Sequence, residues 1–177
     1  AFDCRRYLLR AMRDFNGAGF THIRDMTCNE TQWHEALKLE QSGVLTLAVE
    51  EYFWLKRAAD LDATLLTLRK ARASQVGNLR VMGIKIFLDG ALGSEGAWLS
   101  RCYHGKGHSG LQLWEEAAVR EVLIKTWEAG FHVAVHAIGD EATAAVVKLS
   151  KALQLAGHAG IRIGDVQQIG FGAAKDE

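Results

Sequence analysis

The stretch Val81 to Ser94, VMGIKIFLDGALGS, decides how the rest of the chain is read. It begins as a strand and ends as a Gly-rich turn. Ile84, Ile86 and Leu88 have one parity and Lys85, Phe87 and Asp89 the other, so the two sets occupy opposite faces of the strand. A strand this apolar is covered on both faces, as in parallel α/β sheets. That covering encloses a lysine. An ammonium without a counter-charge is costly to bury, so such a lysine loses its proton or finds an anion. The alternative is a lysine whose stem lies along the sheet while its amine snorkels to the edge.

Working outward, strands alternate with helical patterns. Asp3 caps a helix whose apolar positions Cys4, Leu8, Ala11, Met12 and Phe15 follow helical spacing, and Asn16-Gly17 with Gly19 ends it. FTHIRD, Phe20 to Asp25, is a short strand. Asn29 with Gln32 resembles a capping box and opens a helix that Gly43 stops. VLTLAV, Val44 to Val49, is the next strand, and Asp60 opens a third helix. Gly77-Asn78 turns the chain into the lysine strand. A loop of about twenty residues follows, long enough to be functional. A helix near Trp114 to Ala129, the strand FHVAVHA (131–137), a helix capped by Asp140 and a strand from Ile161 to Ile169 complete the order. Five strands in βαβ alternation mean an α/β fold with a parallel sheet, either an open doubly wound sheet or part of a (β/α) barrel. No composition break divides the 177 residues, which read as a single domain.

Totals exclude several classes. Lys plus Arg and Asp plus Glu are 21 each, which gives no basic excess for nucleic acid or an anionic membrane. No apolar run is long enough for a membrane span. Cys4, Cys28 and Cys102 show no zinc-ribbon or disulfide spacing, and a reducing cytoplasm is the expected location. Neither a GxGxxG nor a GxxxxGK[ST] loop follows a strand. Proline is absent, and we have no physical account of that.

His136 falls at the C-terminal end of its strand, followed by a turn and a helix start. Ligands bind at that end of the strands in α/β folds. His136 and Lys85 are therefore expected at one rim. Imidazole is the commonest metal ligand, although a histidine at a strand end also serves structural roles.

GIKIFLDGALGS (83–94), then VAVHAIGDEA (133–142), resembles the metal-dependent amidohydrolase superfamily. Its third family, which includes N-substituted formamide deformylases, is the most similar. GFTHIRDM (19–26) resembles that family's second conserved strand. SRCYHGKGHSG (100–110) resembles its loop after the lysine strand, with Cys102 where proline is common. The resemblance runs from about Tyr7 to Gln168. It implies a partial (β/α)8 TIM barrel of about five βα units, with one or two divalent metals, zinc foremost, at the C-terminal mouth. Lys85 matches the fourth-strand lysine, which CO2 converts to a metal-bridging carbamate in such enzymes. His136 matches the fifth-strand metal ligand. Asp165 stands where the family's sixth strand carries a histidine, and a carboxylate also binds zinc. Asp89 and Asp140 match residues that support ligands or anchor loops, and His104 and His108 lie in the long loop, either to reach substrate or simply as solvent-exposed histidines. His22 matches no ligand and is expected in the core or in packing at a strand end.

The family's HxH pair and its eighth-strand Asp have no counterpart within these 177 residues. The resemblance thus implies a metal-dependent hydrolase of a non-peptide C–N (amide-type) bond in a small molecule, present here as a partial chain. Five strands leave sheet edges that must be covered by helices or by self-association into a homo-oligomer. The competing reading is a truncated, catalytically inactive α/β module with a ligand-binding or self-association role.

Overall fold

A computed structural model describes residues 3–157 and 163–164, in two compact units, Ala1–Lys85 and Ile86–Glu177. The lysine strand spans the division, its last two residues belonging to the second unit.

The first unit opens with α1 (Cys4–Gly17), whose start is capped as expected: Asp3 Oδ1 accepts the Arg6 N–H at 3.1 Å. Strand β1 (His22–Cys28), helix α2 (Glu30–Gln41), strand β2 (Ala48–Trp54), helix α3 (Leu61–Ser74) and strand β3 (Leu79–Phe87) follow. The capping box at α2 is present in both directions. Asn29 Oδ1 accepts from Gln32 N at 3.1 Å, and Gln32 Oε1 accepts from Asn29 N at 3.0 Å. The third helix starts differently from expectation. Asp60 occupies the cap position, but its carboxylate is held by Arg57 at 2.8 Å and caps nothing.

β1 pairs with β2 and β2 with β3, all parallel, and neighbours within each unit are consecutive in sequence. The second strand lies later than VLTLAV predicts. Val44 and Leu45 donate their N–H groups to the Leu39 carbonyl and so finish α2, and the ladder begins only where Ala48 N donates to Thr21 O at 2.9 Å. The shift brings Glu50 and Glu51 into the strand. A packed layer of Trp33, Leu39, Leu47, Leu68, Leu79 and Ile84 excludes water from this unit. His22 is exposed at the start of β1, with its Nδ1 2.8 Å from the Thr21 hydroxyl, so it is not a packing residue.

The second unit holds the end of β3, a long ordered loop, α4 (Glu116–Glu128), β4 (His132–His136), α5 (Asp140–Leu155) and β5 (Ile163–Gly164). β5 pairs in parallel with β4. The chain past β3 lies beside β4, since Leu88 N donates to His136 O at 2.9 Å. Ile86, Val122, Leu123, Val135, Ala137 and Leu153 form its core. No described helix is long and apolar enough to cross a membrane.

Candidate metal-hydrolase site

Lys85 belongs to the first unit. The residue is 2% exposed, between Ile84 and Ile86, which are fully buried. The lysine therefore does not snorkel, and β3 is covered on both faces as its composition requires. Its backbone is fixed by register with Trp54 and by the Leu55 N–H, which donates to Lys85 O at 2.9 Å.

His136 ends β4 in the second unit, its side chain 16% exposed. The ring packs against Phe87, centroids 5.0 Å apart and tilted by 39°. Its Nε2 lies 3.8 Å from Asp89 Oδ1. Asp89 is 1% exposed and is the busiest acceptor of the unit. Its carboxylate accepts backbone N–H groups from Trp98 at 3.0 Å, Ile138 at 3.0 Å and Gly139 at 2.7 Å. One side chain thus joins the end of the lysine strand, the long loop and the turn after His136. A carboxylate has lone pairs enough for three amides.

Asp140 is the first residue of α5 and not its cap. The cap position is Gly139, which makes no side-chain bond there. Asp140 instead reaches the long loop, accepting from Ser100 N at 2.9 Å and Ser100 Oγ at 2.5 Å, and from Glu141 N at 3.0 Å. The Ser100 hydroxyl bond leads the effects that hold the Asp140 carboxyl below the usual aspartate range, because hydrogen bonds to the charged form favour it. The helix start is completed by the loop as well, Ala142 N donating to Trp98 O at 3.3 Å. Such close approach needs glycine: a Cβ on Gly139 would overlap the Trp98 carbonyl, and one on Gly110 the Ala97 carbonyl.

Farther along the loop, His108 is exposed. Its Nε2 lies 3.5 Å from Glu95 Oε2, and its ring packs on Tyr103 at 5.6 Å. His104 is exposed too. Asp165 lies outside the described residues.

Sequence reasoning singles out Asp89 and Asp140 but not the loop residues that bond them. Ser100 and Trp98 act from 40 and 9 residues away along the chain, and nothing in their local pattern signals it. Glu51 was missed because its strand was placed too early. It is 2% exposed, and its Oε2 has no hydrogen-bond partner. Burial foremost, then the nearby Asp25 charge, pushes its carboxyl up to about 8. Its neighbour Cys28 has a thiol raised by the same burial, which makes it inert at neutral pH.

A model of the amidohydrolase family matches residues 3–168. The chain belongs to the amidohydrolase family. Among solved structures it is similar to an uncharacterized metal-dependent hydrolase from Pyrococcus horikoshii OT3, at 28% identity and a TM-score of 0.75, covering 91% of this chain and 32% of that one. It is also similar to an uncharacterized metal-dependent hydrolase from Pyrococcus furiosus, at 27% identity and a TM-score of 0.72, covering 90% and 32% respectively. No curated protein matches it. This amidohydrolase chain therefore spans about a third of the length of the structures it matches, and its α/β fold is that of a partial (β/α)8 barrel.

The family implies a divalent metal. His136 suits one in kind: an imidazole at the C-terminal end of a strand, with the Asp89 carboxylate 3.8 Å away. In number the described residues fall short, since no three His, Cys, Asp or Glu side chains gather among them.

Proposed function

We propose that this chain is part of a metal-dependent hydrolase that cleaves a non-peptide C–N bond of amide type in a small molecule. The observation that carries the reading is the placement of His136, at the end of β4 with Nε2 3.8 Å from the buried carboxylate of Asp89. Metal-ligating histidines usually have a carboxylate close behind the ring, and Asp89 stands in that place.

In this reading His136 and Lys85 are metal donors, as the family resemblance implies, and Asp165 is a third. Zinc is the metal that best suits imidazole with oxygen donors. Lys85, 2% exposed, is the residue that the family resemblance assigns to a carbamate, which CO2 forms on a lysine amine and which supplies an anion for a metal. When bound, the metal supplies a water molecule acidic enough to ionise near neutral pH and a Lewis acid for the carbonyl. What the described residues do is narrower. Asp89 stands beside His136 and holds the turn that follows it, Phe87 packs against one side of the ring, and the loop after β3 borders the same turn.

The test is metal content. Protein purified with zinc and bicarbonate is expected to hold zinc, and His136→Ala and Lys85→Ala are each expected to lower its occupancy at least about tenfold, the effect of losing a ligand or its support. Protein that takes up no zinc under these conditions, or variants that bind as the parent does, would exclude the metal-site assignment and leave a non-catalytic binding module.

A further inference from the structure

We propose that Asp89 and Asp140 are positioning residues that clamp the 90–113 segment onto the turn after His136, making that segment a fixed wall and not a lid that closes on a ligand. The inference needs no metal and stands apart from the hydrolase reading.

Three sets of contacts carry it. Asp89 joins the Trp98 amide of the loop to the Ile138 and Gly139 amides of the turn through a single buried carboxylate. Asp140 holds Ser100 twice, by its amide and by its hydroxyl. The segment is also paired with itself. Leu99 N donates to Ser109 O at 2.7 Å and Tyr103 N to His108 O at 3.0 Å, while Gly90 N donates to Gly96 O at 3.0 Å. Its far end returns to the strand, Leu113 N donating to Leu88 O at 2.9 Å. A closing lid is drawn from segments whose backbone bonds are few and solvent-exposed. Here the charge-assisted bonds are among the strongest kind, and two lie in a buried setting. At Gly110 and Gly139 the backbones approach the Ala97 and Trp98 carbonyls too closely to admit a Cβ.

Limited proteolysis reads the clamp directly, because Arg101 and Lys106 place two trypsin sites in the segment and both residues are exposed. In the native protein, mass spectrometry should find cleavage after Arg101 and Lys106 at least ~100-fold slower than in urea-unfolded chain, since cutting requires local opening. Ser100→Ala and Asp140→Ala should each speed cleavage by about tenfold or more at an unchanged melting temperature, as expected for a lost charge-assisted bond. Two further readouts separate a clamp from general loosening. The Ser100→Ala/Asp140→Ala double variant should be cut no faster than the Asp140→Ala single, because the two groups act through each other. Ser100→Thr, which keeps the hydroxyl, should restore resistance. Amide exchange at Trp98 and Gly139 should rise together in Asp89→Asn. Rapid cleavage of the native segment, parent-like rates in both single variants, additive effects in the double, or no rescue by threonine would each overturn the clamp.

Discussion

Two buried carboxyl groups, one in each unit, have opposite lives. Asp89 is enclosed among backbone donors and accepts three of them. Glu51 is equally enclosed but has one oxygen without a partner, an acidic neighbour in Asp25, and a carboxyl pushed up to about 8. The difference teaches that burial alone does not decide what an acid does. Three amide donors make Asp89 an anchor between segments, whereas burial with one oxygen unpartnered and an acidic neighbour pushes the Glu51 carboxyl up.

The largest effect should come from removing the anchor. Asp89→Ala leaves the amides of Trp98, Ile138 and Gly139 without acceptors, two of them buried, at a cost of about 3–5 kcal/mol. Urea unfolding should show the loss, with Asp89→Asn falling between variant and parent. A loss below about 1 kcal/mol would mean the amides find water at no cost and would erase the contrast with Glu51.

Next in size is the pH response of Glu51. Its carboxyl titrates higher folded than unfolded, so the folded state holds the extra proton. The contribution is fully present below the unfolded value near 4.5 and is lost as pH rises through about 8. Stability should therefore fall by up to a few kcal/mol across that window. Glu51→Gln should flatten the dependence and gain stability at pH 9. A parent-like slope in Glu51→Gln would show that the buried carboxyl is not the source.

The smallest effect sharpens the same lesson at two helix starts. α2 is capped by its own residues, Asn29 and Gln32, whereas α5 has no side-chain cap and borrows the Trp98 carbonyl. Asn29→Ala should cost about 1 kcal/mol in thermal unfolding, a local loss. It should leave trypsin cleavage at Arg101 and Lys106 unchanged, whereas Asp140→Ala should not.

Much of the architecture was legible because it rests on near-neighbour chemistry. The parity of Ile84, Lys85 and Ile86 announced a strand buried on both faces. The Asn29–Gln32 spacing announced a helix start, and it forms as written. The second strand was misplaced because Val44 and Leu45 are apolar for another reason, finishing α2, and apolar runs do not say which bonds their backbone makes. At the site, His136 and Asp89 could be named from their positions beside strand ends. Their 3.8 Å approach, and the exposure of His22 where packing was expected, could not.

By itself the sequence determined the alternation of strands and helices, the burial of an amine within β3, and the family motifs, since these follow from residue type and short spacing. Only the tertiary structure decided which donors meet which acceptors: that Ser100 reaches Asp140 across 40 residues, that Asp89 serves two loops, and that Glu51 is left one partner short. Hydrogen bonds act over about 3 Å, and no periodicity in a chain records which distant segments will come that close.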